Sequence, residues 1–517
     1  MGQQLKALIV IISLSMPLFW LARRQIIEFA TDAGDFDRRR NAWIALTMLV
    51  FLANDFWIYV VGAIIILGFS AIRETNKLAM FLALLMVIPP LSKIVPGFAG
   101  IAVIFDVNHV RTLSVVLLLP AWLSLRRDSG VIPFGRSIAD KLLLGYIIEP
   151  LILQGAVDSI TNTVRYGLYS FVDTFLPYYV ASRGLRDLKA YRDVLVSFAF
   201  AVLLMTPLAV FEYARHWLLY SEVANALNVS DSMTSYMLRS DRLRVVVASG
   251  HSIILGYVVM ISLGCLPFVR AAFSSRWSYF SAFGLLAFTL VATGARGPWI
   301  ASISVALVLL ALGRSPAKQL TRASIAFILL VVVMSMTTTG KDIIDSLPFI
   351  GTANTDSVDY RQRVFDISIL VIKQNLWLGS FAYMTNPLMQ QLIQGEGIID
   401  IVNSYLGVAL TYGMIGLSLF CGIFSVGLWN VAKIMRGLSK DDDVYLLGRS
   451  LVAILIGILI VIATLSSIGV VPILYWIVAG LCEGYRRLAS SKDLQASDHA
   501  SLPRAAPQRP HVQFRNA

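Results

Sequence analysis

Long apolar runs recur along almost the whole chain. Clear examples cover residues 5–22, 194–213, 251–269, 404–431 and 451–468. Inside lipid every backbone N–H and C=O must find a partner within the protein, so only helices and closed barrels can span a bilayer. A spanning helix needs roughly 20 apolar residues, and the spacing of these runs predicts an all-α, polytopic integral membrane protein with about 12 to 15 transmembrane helices.

The amino-acid composition is also typical of an integral membrane protein. Hydrophobic residues make up 57% of the 517 residues and charged residues 14%, against roughly 25% charge in a soluble domain. The net charge of +12 lies mostly in short loops and a basic tail, where membrane orientation explains it without a nucleic-acid partner. The three cysteines, Cys265, Cys421 and Cys482, lie within or beside apolar runs and form neither a disulfide frame nor a metal motif.

The alternation of basic short loops predicts four regions. Residues 1–337 form transmembrane helices with short loops, and residues 338–402 form a large loop on the non-cytoplasmic side that carries short interfacial helices. Residues 403–489 form the C-terminal transmembrane helices, and residues 490–517 a disordered cytoplasmic tail. The hinge Asn54-Asp55 fits either a tight hairpin or one broken helix, so the side of the N-terminus stays open.

Arginines stand out in the loops that this orientation places away from the cytoplasm, because such loops should be poor in Lys and Arg. The candidates are Arg242, Arg244, Arg296, Arg361 and Arg363. A guanidinium binds two oxygens of a phosphate or carboxylate at once, so these residues predict an anion site at the membrane surface. The alternatives are a solvated loop and side chains that reach lipid headgroups.

Other polar residues adjoin these arginines. His251 opens an apolar run, where a helix N-terminus adds positive potential; a plain helix-start histidine is the alternative. Apolar residues at helical spacing from Val364 to Leu378 predict a helix along the membrane surface, or a simple anchor. Glu396 and Asp400 are the nearest candidates for a general base, although solvated loop carboxylates are commoner.

Several familiar motifs do not occur in a credible context: a glycine-rich phosphate loop, paired metal-binding histidines or a nucleophile elbow. We therefore predict no metal and no cofactor. Few charges lie within the apolar runs and no internal repeat is evident, which weakens a transporter interpretation.

The polar motifs occur in an order that resembles the O-antigen ligase and Wzy-type polysaccharide polymerase superfamily. An R-x-R pair precedes G-H-S-I-I-L-G, and T-G-A-R-G-P-W-I-A follows. A second R-x-R pair leads to a helix that ends in L-G-S, and N-S-Y-L-G-V-A-L-T-Y-G-M-I-G-L comes last. The resemblance covers roughly residues 242–420.

The resemblance implies a metal-independent, inverting glycosyl transfer at the periplasmic face of a bacterial inner membrane. The donor is a glycan on undecaprenyl diphosphate, and a chain-length regulator and a flippase of the same pathway are implied partners. Arg296, Arg363 and Asp400 are then catalytic candidates. The residues assigned to binding the pyrophosphate or glycan are Arg242, Arg244, His251, Arg361, Glu396 and Asn403.

One departure from the family pattern favours a polymerase. The histidine that precedes Asn403 in the ligases is Val402 here, and polymerases vary more at this position. The leading prediction is a polymerase for exopolysaccharide or O-antigen. The alternatives are a ligase acting on lipid A core or protein, a lipid-linked-sugar transporter and an assembly subunit.

Overall fold

The chain folds as an all-α polytopic membrane protein. A computed structural model describes residues 2–98, 103–227, 229, 238–239, 242–337, 355–393 and 399–501. Its helices, in chain order, are α1 (Gly2–Phe29), α2 (Ala33–Leu52), α3 (Phe56–Ala71), α4 (Lys77–Leu84), α5 (His109–Leu113), α6 (Leu119–Arg127), α7 (Ile138–Val157), α8 (Ile160–Ser170), α9 (Leu176–Arg183), α10 (Leu188–Arg215), α11 (Ser221–Ala226), α12 (Ser252–Cys265), α13 (Arg276–Ala292), α14 (Arg296–Ala311), α15 (Pro316–Ser335), α16 (Thr355–Gln374), α17 (Pro387–Gln390), α18 (Ser404–Met435), α19 (Asp443–Ile462) and α20 (Val471–Ser501).

Two short antiparallel strand pairs lie in loops where no sequence pattern predicted strands. The first joins β1 (Ser92–Pro96) to β2 (Val103–Asn108), and the second joins β3 (Leu238–Arg239) to β4 (Arg242–Leu243).

By length and composition, four of the described helices are apolar enough to cross a membrane: α1, α10, α18 and α19. Three shorter apolar helices are α3, α12 and α14. Two further helical stretches are built in pieces, since the π-helical turn Ser114–Leu118 joins α5 to α6 and the turn Phe171–Phe175 joins α8 to α9. A proline stands in the first turn of both α6 and α9, where the wider turn accommodates its missing N–H.

The Asn54-Asp55 hinge forms a helical hairpin, which settles the open alternative. Asp55 is the N-cap of α3 and accepts a hydrogen bond from the Trp57 N–H at 2.7 Å. Helices α2 and α3 pack against each other. The chain therefore returns at this hinge instead of continuing as one broken helix.

The two ends of the bundle can be told apart by contacts of α1. Near its start, the Gln4 amide donates to the Glu222 carbonyl at 3.4 Å. Just past its end, Asp32 pairs with Lys189 at 3.0 Å. The N-terminus thus lies at the end of the bundle where α10 finishes, and the basic loop around Lys189 lies at the other end.

A buried ionic network ties α2 and α10 together at that basic end. Arg39 donates to Asp193 at 2.7 Å, to Glu74 at 2.6 Å and to the Ser197 hydroxyl at 2.9 Å. All four side chains are buried. Removing one member of such a network leaves an uncompensated buried charge, which typically costs about 3–5 kcal/mol.

The large loop has a small apolar core of its own. Val364, Val371 and Ile372 of α16 pack with Met389 of α17 and with Leu406 near the start of α18. A helix is therefore present at the predicted position, with its apolar face packed against protein. It ends at Gln374, so Leu378 belongs to the segment after it. At the other end of the chain, helix α20 continues to Ser501, past the predicted start of the tail at Ser490.

Candidate functional site

Five segments meet at the end of the bundle where α10 finishes. They are the stretch from Arg244 to His251, the turn from Thr293 to Arg296, helix α16, the approach to α18 from Asp400 to Ser404, and the turn between α19 and α20. Their hydrogen bonds and electrostatic interactions link residues that lie far apart in the sequence. Three of the predicted arginines, Arg244, Arg296 and Arg361, converge here.

Glu212, near the end of α10, fixes the first of these segments. Its carboxylate is buried and accepts hydrogen bonds from the backbone N–H groups of Leu219 at 2.9 Å, Val246 at 3.1 Å and Val247 at 3.0 Å. Val247 has a φ of 50°, a left-handed conformation that a β-branched residue rarely adopts. Strained backbone persists only where its surroundings hold it, and such positions cluster at functional sites. No sequence motif predicted this role of Glu212.

Arg244 joins this segment to the Thr293–Arg296 turn. Its Nε donates to the Thr293 carbonyl at 3.0 Å, and the Val245 N–H donates to the Ala292 carbonyl at 3.3 Å. The turn then places Arg296 at the first residue of α14, with its side chain half-buried. Two arginines that lie 52 positions apart in the sequence, 296 minus 244, are thereby brought to one place.

His251 caps α12 through its ring. Nδ1 accepts a hydrogen bond from the Ile253 N–H at 3.1 Å. Burial and the nearby positive charge of Arg244 lower the pKa of His251 to about 4, against an opposing effect of Asp400. The ring is therefore neutral, and because Nδ1 is an acceptor, the proton sits on Nε2. His251 can donate a hydrogen bond from Nε2 to a ligand.

Arg361 is the member of the second R-x-R pair that faces the other charged groups. It lies three residues before the buried Val364 and seven before the buried Ser368, on one face of α16. Its side chain is exposed. Partial desolvation and the charge of Arg296 lower the pKa of Arg361, while Asp400 raises it.

Arg363 is exposed and lies off that packed face. In an α-helix its direction differs from that of Val364 by about 100°. The structure therefore brings Arg361, not Arg363, beside Arg296 and Asp400, and the catalytic assignment of Arg363 stays a prediction.

Asp400 is held from two sides. Its backbone N–H donates to the Tyr360 hydroxyl at 3.2 Å, and its carboxylate accepts from the Ser466 hydroxyl at 2.7 Å. The side chain remains exposed. A carboxylate fixed in position and open to solvent is suited to take a proton from a bound hydroxyl group.

The α19–α20 turn is a part of the site that the sequence analysis missed. Ser466 also donates to the Ile401 carbonyl at 2.7 Å, and the Ser467 hydroxyl donates to the Ser404 hydroxyl at 2.8 Å. Ser404 in turn donates to the Leu465 carbonyl at 2.7 Å. The available signal was the run of small polar residues T-L-S-S-I-G between two apolar spans.

Asn403 has a structural role that its position explains. Its side-chain oxygen accepts from the N–H groups of Tyr405 at 2.9 Å and Leu406 at 3.3 Å, so it is the N-cap of α18. Of the other predicted residues, the backbone of Arg242 lies in β4, but its side chain is outside the described part. Glu396 lies outside the described residues altogether.

Helix α18 is broken at Gly413, and the segment after α16 enters the break. Gly413 has φ 62° and ψ −162°. The N–H groups of Met414 and Ile415 donate to the carbonyls of Leu376 at 2.9 Å and Trp377 at 3.2 Å. A broken helix at membrane depth is tolerated where protein groups satisfy the freed backbone. The segments that carry the L-G-S and T-Y-G motifs are thus joined to each other by backbone hydrogen bonds.

The resulting site is strongly positive. Arg244, Arg296 and Arg361 gather near one exposed carboxylate, that of Asp400, and a neutral histidine donor. Among the residues that the structure describes, no group of three His, Cys, Asp or Glu side chains is arranged to hold a metal ion. The arrangement is suited to an anion with several oxygens, next to a group that accepts a proton.

One part of the chain matches a known family. Residues 281–421 match the family model described as O-antigen ligase. That segment contains Arg296, Arg361, Asp400, Asn403 and the break at Gly413, whereas Arg244 and His251 precede it. No curated protein matches the chain.

Members of this family are glycosyltransferase-like enzymes that use lipid-linked glycans in a membrane. The match over residues 281–421 confirms the resemblance of the motifs to the O-antigen ligase and Wzy-type polymerase superfamily.

Proposed function

We propose that this protein is a polysaccharide polymerase of the bacterial inner membrane. It transfers a glycan from undecaprenyl diphosphate to a hydroxyl group of another lipid-linked repeat unit at the periplasmic face. The observation that carries the proposal is the convergence of Arg244, Arg296 and Arg361 beside His251 and Asp400. No metal takes part in the proposed reaction.

The three arginines would bind the diphosphate of the donor. Burial and the neighbouring charge of Arg296 lower the pKa of Arg361, while Asp400 raises it. A diphosphate would add negative charge among these guanidinium groups, and the Nε2–H of His251 would donate to one of its oxygens. Donors already in position where negative charge develops stabilise a transition state strongly, because they need no reorganisation during the reaction.

Asp400 would act as the general base. The acceptor hydroxyl oxygen forms a bond to the anomeric carbon of the donor, and the bond from that carbon to the diphosphate oxygen breaks. The hydroxyl proton passes to the Asp400 carboxylate, and undecaprenyl diphosphate leaves with the bonding electron pair. Attack from the side opposite the leaving group inverts the anomeric configuration.

The primary test is reconstitution of the purified protein in liposomes. The liposomes contain the lipid-linked repeat unit from the source organism, and the products are separated on a gel. A polymerase gives a ladder spaced by one repeat. A single shifted band that needs an added acceptor would mean a ligase, and lipid-linked sugar that only changes leaflet would mean a transporter.

The second R-x-R pair provides a matched test of the site. We expect Arg361→Ala to reduce the rate of polymerisation by about 10²–10³-fold, as does the loss of one donor to a developing charge. Arg363→Ala removes the same chemical group two positions away and should cause a much smaller loss. Equal rates for the two variants, or a larger loss at Arg363, would contradict the placement of Arg361 at the diphosphate.

A further inference from the structure

A groove adjoins Asp400, and its described lining contains no arginine. Its volume is about 450 Å³, and its walls come from α7, α8, α18, the start of α20 and the loop that precedes α17. We call it the hydroxyl groove and define it by Tyr166, Tyr383, Thr411, Tyr412, Ser467 and Tyr475. Asp400 therefore lies between two different surfaces, the arginine cluster and this groove.

The lining of the hydroxyl groove excludes some ligands. Half of the side chains that line it carry a hydroxyl group, and among the described lining residues Asp400 is the sole charged one. A diphosphate would lack cations there and would meet a carboxylate. An isoprenoid tail would bury many hydroxyl groups without hydrogen-bond partners, which is costly.

A neutral sugar is compatible with this lining, because it carries no charge and can form hydrogen bonds with the hydroxyl groups. Its hydroxyl groups exchange hydrogen bonds with Tyr, Ser and Thr side chains, each of which can donate and accept. Its C–H faces pack on aromatic rings, and the groove offers the rings of Tyr146 and Trp476 beside its tyrosines. Sites of this size bury most of a small ligand with a few placed polar groups.

The tyrosines are held in position by the break in α18. The hydroxyl groups of Tyr166 and Tyr412 are 2.7 Å apart. Phe381, which follows the segment inserted at Gly413, packs edge-on against both rings, with centroids 5.9 Å from Tyr166 and 5.7 Å from Tyr412. The junction of the two sequence motifs thus sets the shape of the groove wall.

We infer that the hydroxyl groove binds the acceptor glycan, with the attacking hydroxyl group at Asp400. The inference rests on the proposed function, since it divides the two substrates of that reaction between two surfaces. The donor diphosphate lies on the arginines, and the acceptor sugars lie along Tyr166 and Tyr383. Selection of the acceptor is then a property of the groove and not of the arginines.

The test measures binding without turnover. The probe is the free repeat-unit oligosaccharide, released by mild acid from the lipid-linked precursor of the source organism. Its binding to the full-length protein is measured by thermophoresis. We expect Arg296→Ala to bind it as wild type does, and the double variant Tyr166→Phe/Tyr383→Phe to bind it at least tenfold more weakly.

Controls separate the possible failures. Tyr279→Phe, on α13 and outside the groove, should bind as wild type, and size-exclusion profiles verify that every variant folds. Unchanged affinity in the double variant, or displacement of the oligosaccharide by undecaprenyl diphosphate, would overturn the inference. If wild type binds the oligosaccharide through these tyrosines but makes no ladder in liposomes, the glycan site stands and the polymerase proposal fails.

Discussion

At the residue scale, the hydrogen bond through which His251 caps α12 determines which ring nitrogen carries the proton. A backbone N–H can only donate, so the bond from Ile253 to Nδ1 requires an unprotonated Nδ1. The only proton on the neutral ring is then on Nε2, which makes His251 a donor and not a base. This leaves Asp400 as the proton acceptor among the predicted and described site residues.

The lowered pKa of His251 predicts a pH dependence of stability. Its pKa is about 4 in the folded protein and 6.5 in the reference state, so between these values the unfolded chain binds more protons. The contribution of His251 to stability is therefore present above pH 6.5 and is lost as the pH falls toward 4. His251→Asn keeps a good N-cap acceptor and removes the titration.

Thermal unfolding of wild type and His251→Asn in detergent, at both ends of this pH range, measures the effect. As the pH falls, the melting temperature of wild type should decrease relative to that of His251→Asn. A difference that is independent of pH would mean that the ring is not buried as a neutral donor. His251→Ala, which also removes the cap, should lose a further 0.5–2 kcal/mol or so at every pH.

At the element scale, α18 depends on two glycines that touch. A Cβ on Gly379 would lie 2.5 Å from the Gly413 nitrogen, and a Cβ on Gly413 would lie 2.5 Å from the Leu378 nitrogen. Both residues also have positive φ. Gly413→Ala therefore meets a backbone conformation that costs a side chain about 1–3 kcal/mol and a collision with main chain that cannot rotate away.

Gly407 provides the control on the same helix. A Cβ there would meet nothing within 4 Å, so Gly407→Ala should be neutral or stabilise the helix by about 0.5–1 kcal/mol. Gly413→Ala is predicted to lower the melting temperature, whereas Gly407→Ala should leave it unchanged or raise it. A Gly413→Ala protein as stable as wild type would show that the inserted segment is not required for the fold.

Hydropathy predicted the helices better than the site, for a physical reason. Apolar periodicity reports which face of a helix is buried, so the spans and the helix that ends at Gln374 could be predicted. The break at Gly413 lies inside a run that is apolar on both sides, and its partner segment is more than thirty positions upstream. The hydrogen bond from Ser466 to Asp400 likewise depends on how α18 and α19 pack, which no local pattern records.

At the scale of the whole molecule, the bonds of α1 and α10 orient the chain. Gln4 contacts the segment that follows α10, and Glu212, near the end of α10, holds the loop that leads to His251. The N-terminus and the candidate site are therefore at the same end of the bundle. The loops rich in Lys and Arg lie at the other end, which the charge bias assigns to the cytoplasm.

Cysteine labelling in intact spheroplasts tests this orientation. Gln3→Cys and Gln391→Cys, both at exposed positions, should react with a membrane-impermeant maleimide, whereas Ser439→Cys in the α18–α19 loop should react only after permeabilisation. Of the native cysteines, Cys265 and Cys482 are buried, and wild type gives the background. Labelling at position 391 without labelling at position 3 would contradict the α2–α3 hairpin, because an odd number of crossings would then separate the N-terminus from the site. Labelling at position 439 alone would mean that the orientation is reversed. The arginines would then face the cytoplasm, where the proposed periplasmic reaction could not take place.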